Sequence, residues 1–143
     1  MEQTKQFELA SREWELTQGV MDKYDALSIK IKAWAVTVWV AGLGWSFSRG
    51  DQKVLGAVLF LLVALWVLDA VNKDYRNQYK KRRDEISAGL QHYWQSASWP
   101  AEFVCPQLPG KGQSDFRAMI TRPHIAILYL ALMLVTTLAL LIK

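Results

Sequence analysis

A single cysteine, Cys105, stands among the 143 residues, so no internal disulfide can form and a disulfide-built scaffold is excluded. The only two histidines, His92 and His124, lie far apart with no Cys or carboxylate at ligand spacing, which argues against a zinc site. Cys105 has no histidine at hand and reads as a plain loop thiol. Gly110-Lys111-Gly112-Gln113-Ser114 faintly suggests a phosphate loop, but the G-x-x-x-x-G-K-[ST] spacing and a preceding strand are missing. No nucleophile elbow, paired-carboxylate motif, dinucleotide turn or internal repeat is evident. Catalysis and a resident cofactor therefore have little to stand on, and the expectation is a protein that is not an enzyme and binds no cofactor.

Targeting signals are scarce too. The start, MEQTKQFELASREWE, has neither a basic opening nor an early apolar core, so it does not read as a signal peptide. Glu2 fills the place where myristoylation needs glycine, and the C-terminus is not a prenylation box. The mature protein is expected to be the whole chain. The net charge of +4 is modest, and no unbroken basic face accompanies a stacking platform, so nucleic acid is not an expected partner.

What the chain has is apolar residues pooled in blocks. Val54–Asp69 carries no charge before its last residue, and Ile125–Ile142 carries none at all. Ala33–Phe47 is shorter, yet Lys30 and Lys32 can snorkel and let Ile29 and Ile31 extend it. A bilayer core takes roughly 20 helical residues, so three spans are expected. Trp34, Trp45 and Trp66 lie near block ends, where an apolar ring with a polar N–H suits the headgroup level.

In chain order, Glu2–Lys32 contains no proline and only Gly19 as glycine, and it reads as one helix continuous with the first span. A heptad stripe fits Phe7, Ala10, Trp14, Thr17, Met21, Tyr24, Ser28 and Ile31, suited to packing on its own chain or to self-association. Ala33, Thr37 and Ala41 form a small-residue face on the first span, joined by Gly44 and Ser48, and such faces let helices approach closely in lipid. Ser48–Lys53 is a tight turn, so the first two spans form an antiparallel hairpin.

Past the hairpin, Val71–Ser98 continues as a helix with the stripe Val71, Tyr75, Tyr79, Ile86, Leu90 and Tyr93. Its cluster Lys80, Lys81, Arg82 and Arg83 reads as a patch facing lipid or a soluble cytosolic partner. Asp69 sits one turn before Lys73, and with Trp66 these mark the junction where an inert span becomes a charged helix. The plainer reading of Asp69 is an i,i+4 pair with Lys73; the sharper one is a gate, ion ring or docking residue, because a carboxylate at membrane depth is costly. A proline-rich loop follows, with a short helix predicted over Gln113–Thr121. Pro123 then opens the last span, whose polar residues are Tyr129, Thr136 and Thr137.

The fold class expected is all-α, an integral membrane bundle divided as 1–32, 33–70, 71–122 and 123–143. Lys and Arg are concentrated before the first span and between the second and third, which places the N-terminus and the middle in the cytosol and the C-terminus outside.

The junction ALWVLDAVNKDYRNQYKKRRDEI, residues 64–86, resembles small bacterial membrane proteins whose hairpin ends in a W-x-L-D-A/G segment. With the preceding helix it is similar to the SLATT type of two-span effector domain, over about residues 15–95. Trp66, Leu68, Asp69 and Ala70 carry the likeness; Val71-Asn72 stands where an aromatic pair is expected, and the third span is an addition. The resemblance implies a homo-oligomer that forms a pore in, or perturbs, the bacterial inner membrane, in the setting of antiphage defence. The other reading is a membrane-anchored regulatory or scaffold subunit that docks a soluble partner. A pore would be lined by Thr37, Gly44 and Ser48, or by Thr136 and Thr137.

Overall fold

The computed structural model describes residues 2–107 and 116–142, the side chain of Glu2 aside. The glycine–lysine run at 110–114 and the first residues of the helix expected at 113–121 lie outside the described residues. All the regular structure described is helical: α1 (Glu2–Arg49), α2 (Lys53–Ser96), α3 (Phe116–Ile120) and α4 (Pro123–Ile142). The expected continuity of the first helix into the first apolar block is found, since α1 runs unbroken through both. Three helices, α1, α2 and α4, are long and apolar enough to cross a membrane.

The turn between α1 and α2 is set by two residues. Gly50 takes φ +69°, which costs a glycine little, and its N–H reaches back to Ser46 O at 2.9 Å. Asp51 then accepts the Lys53 N–H at 3.0 Å, a local turn that starts α2.

The chain forms two compact units, one from Met1–Asp25 with Tyr75–Ser114, the other from Ala26–Asp74 with Asp115–Lys143.

In the first unit, α1 contributes the buried positions Ala10, Thr17 and Met21, all on the expected stripe. The facing line of α2 differs from the expected one. Ile86 is buried as anticipated, but Tyr75 is exposed, and Arg82 and Gly89 take inner positions. Gly89 is needed there because a Cβ would meet the Phe103 ring at 2.5 Å. Phe103 ends a stack in which Tyr93 and Trp99 are 4.8 Å apart and Trp99 and Phe103 are 4.7 Å apart. Phe7 of α1 packs on Tyr93 and Trp94 at 5.7 and 5.9 Å. Aromatic pairing of this kind holds the loop after α2 against the two helices.

In the second unit, three helices share a core of Ala35, Val58, Leu62, Tyr129 and Leu132. On α1 the inner line is Ser28, Ile31, Ala35, Gly42 and Ser46, a 3–4–7 spacing that keeps one stripe inward. Gly42 lies so close to Val58 of α2 that any Cβ would overlap it. The close approach within the hairpin therefore uses Gly42, while Ala33, Thr37 and Ala41 face away from the chain. On α4 the inner line is Ile125, Tyr129, Leu132 and Thr136.

The outer faces of this unit are apolar as well. Val40 (56%), Phe60 (73%), Ile127 (65%) and Leu134 (62%) are exposed on the three helices. A helix packed on a water-soluble core turns polar residues outward, and these do not. That pattern suits a hydrocarbon surround.

Candidate functional site at the three-helix junction

Asp69 is the centre of the second unit's polar chemistry, and it is wholly buried. α2 delivers it at the end of its apolar block. Ser28 of α1 donates its hydroxyl to Asp69 Oδ1 at 2.6 Å. From α4, the Tyr129 hydroxyl lies 3.5 Å from Oδ2. Lys32, one turn beyond Ser28 on α1, places its ammonium 3.7 Å from Oδ2. The same ammonium donates to the His124 carbonyl at 3.4 Å. One carboxylate thus touches all three helices. These partners come from other helices, so Asp69 is more than an i,i+4 neighbour of Lys73: heptad packing turns it inward, toward α1 and α4. Trp66, one turn before it, stacks on Tyr129 at 6.5 Å with planes 16° apart. Its indole N–H is buried without a hydrogen-bond partner.

A neutral pair lies deeper in this unit. Trp39 donates its indole N–H to Thr136 Oγ1 at 3.0 Å, and Thr136 in turn donates to Leu132 O at 2.7 Å. Thr136 is therefore consumed inside the chain and is not free to line a channel between copies. Thr137 is exposed and bonds its own helix at Met133 O. The small-residue face keeps its hydroxyls satisfied locally, Thr37 on Ala33 O at 2.9 Å and Ser48 on Trp45 O at 3.1 Å. Ala33, Thr37, Ala41, Gly44 and Ser48 are all exposed, and a Cβ on Gly44 would meet nothing within 4 Å.

The first unit holds a second ionic cluster. Arg82 is almost fully buried and donates to Glu13 Oε1 at 2.7 Å, Val104 O at 2.8 Å and Glu85 Oε2 at 3.2 Å. Cys105 and Glu13 Oε2 are 2.8 Å apart, with the thiol donating. Burial favours the neutral Glu13 acid, yet hydrogen bonds from Arg82 and Cys105, with the Arg82 charge, hold its carboxyl below the usual value of 4.5. Burial and the adjoining Glu13 carboxylate push the Cys105 thiol up to about 12, which leaves it protonated and a poor nucleophile.

Of the expected basic patch, Arg82 is thus a fastener between α1 and the loop, not a surface charge. Lys80 and Lys81 are exposed, and half-buried Arg83 pairs with Asp84 at 2.8 Å and reaches Gln18 at 3.3 Å. Sequence periodicity alone does not single out one of four consecutive bases; the acceptors Glu13 and Val104 do. Among the described residues no cluster of His, Cys, Asp and Glu is placed to hold a metal. An apolar groove of about 350 Å³ lies in the first unit between Leu16, Thr17, Val20, Tyr79 and Pro106, with Glu13 and Gln107 at its polar side.

No protein-family model, no curated protein and no solved structure matches this chain.

Proposed function

We propose that this chain is a non-enzymatic, multi-pass protein of the bacterial inner membrane that self-assembles and forms a pore in, or otherwise perturbs, that membrane. Its N-terminus and middle segment face the cytosol and its C-terminus faces out. The resemblance to SLATT-type effectors makes antiphage defence the setting. The observation that carries the reading is the outward face of the first span. Ala33, Thr37, Ala41, Gly44 and Ser48 lie on one side of α1 and are all exposed, while a different glycine, Gly42, serves the contact within the chain. A small-residue face left over after a hairpin has packed is available to a neighbouring copy.

The test is oligomer size and conductance of detergent-purified protein reconstituted in liposomes. A defined homo-oligomer that passes ions supports the reading. Ala41→Leu should leave the fold intact, since the position is exposed, and should shrink the oligomer. Unchanged size after that substitution would remove this face as the assembly surface.

A second reading, a membrane-anchored scaffold for a soluble cytosolic protein, is favoured by the apolar groove at Leu16, Val20, Tyr79 and Pro106. A monomer that conducts nothing and co-purifies with one soluble protein would replace the first reading by this one.

A further inference from the structure

The expected lipid contact at Lys80–Arg83 is reduced by the burial of Arg82, and a different basic group sits at the edge of the apolar blocks. Lys32 on α1, Lys73 on α2, and Arg122 and His124 at the start of α4 lie close enough for the three cations to act electrostatically on the His124 ring. The Lys32 ammonium is fixed by its 3.4 Å bond to His124 O. Arg122 and His124 are exposed. Among the described residues, the carboxylate acting on His124 is Asp69, buried and already bonded to Ser28 and near Lys32. Three cations thus act on the ring against that one carboxylate. One turn further along each helix, on the apolar side, Val36 and Ile127 are exposed. Cations from separate helices above open apolar surface match a phosphate headgroup with its acyl chains running down the helices.

We propose that Lys32, Arg122 and His124, with Lys73 nearby, form a binding site for the phosphate headgroup of an anionic phospholipid at the cytosolic end of the three-helix unit. This rests on the membrane reading above. Arg122 gives the phosphate a planar fork of donors, His124 a ring N–H, and Lys32 a fixed point charge. Lys32 is 3.7 Å from Asp69 Oδ2; the lipid phosphate would share its remaining donors.

Native mass spectrometry of the full-length protein, released from micelles holding equal phosphatidylglycerol and phosphatidylcholine, tests the site. The wild type should retain phosphatidylglycerol in clear excess. Arg122→Gln with His124→Gln should lower that excess roughly fivefold or more, as expected for loss of a charge near the lipid surface. Lys80→Gln with Lys81→Gln should leave it unchanged. Equal retention of both lipids, or an equal loss from the Lys80/Lys81 pair, overturns the site. Displacement of the lipid by millimolar inorganic phosphate overturns the lipid as its occupant and assigns the cluster to free phosphate. Carbonate extraction of the wild type from membranes separates the two levels. A chain that stays in the pellet but shows no lipid preference loses only this site, and a chain that is extracted loses the membrane reading with it.

Discussion

Replacing Asp69 with alanine removes an acceptor shared by three helices, and the distances set how the loss should divide. The Ser28 bond is short, 2.6 Å, and both partners are buried. A hydrogen bond to a charged group contributes about 1.5–3 kcal/mol. Tyr129 at 3.5 Å is near the limit of a hydrogen bond and adds little. Lys32 is 3.7 Å away with its side chain 29% exposed, so water competes for it and the ion pair contributes about 1 kcal/mol at most. The expected cost of Asp69→Ala is therefore about 2–4 kcal/mol, mainly through Ser28. Reversible unfolding in mixed detergent and dodecyl sulfate micelles gives the measurement. Double-mutant cycles with Ser28→Ala and with Lys32→Gln apportion it, and the Ser28 coupling should be the larger. A cost under about 0.5 kcal/mol, the range of an ordinary surface change, or a Lys32 coupling above that of Ser28, refutes the reasoning.

Gly42→Ala should destabilise by about 1–3 kcal/mol through overlap with Val58, while Gly44→Ala, with open space around it, should be neutral or stabilising in the same assay. Arg82→Ala should cost about 3–5 kcal/mol because it strands the Glu13 carboxylate, whereas Lys80→Ala should stay within about 0.5 kcal/mol; thermal unfolding of the two variants separates them. Glu13 titrates below its ordinary value in the folded state, so its contribution is present above about 4.5 and is lost as pH falls through the lower folded value; a Glu13→Gln variant should lack that acid-side loss in a pH series of unfolding. Cys105 has the opposite sign. Its thiol titrates at about 12 when folded against 9.0 when unfolded, so stability declines as pH rises above 9.0, and alkylation at pH 8 should be far slower in the folded protein than in denaturant.

Much of the helical architecture was legible because helix periodicity is local. Ala10, Thr17, Met21, Ser28 and Ile31 stand on a heptad line that needs no knowledge of the partner, and all five are buried. The hairpin was legible because six polar residues between two apolar blocks leave no other path. The line on α2 was harder, since its inner positions include Asp69, Asn72, Asp74 and Arg82, which an apolar pattern skips. Asp69 was visible as a carboxylate at a span's edge, but its partners on the other helices were not. A neighbour at i+4 is the nearest candidate along the chain, while Ser28 is 41 residues away and Tyr129 is 60.

By itself, the amino-acid order determined which segments are helical, which are apolar enough for a bilayer, and where the chain turns. Each of these depends on residues within a few turns of one another. Only the tertiary structure decided which of two small faces on the first span packs inward. It chose Gly42, because Val58 comes too close for any Cβ, and it left Ala33, Thr37 and Ala41 outside. It also decided that one arginine of four is a fastener and that one aspartate ties three helices together. Those choices depend on what stands opposite across the bundle, and sequence spacing carries no record of that.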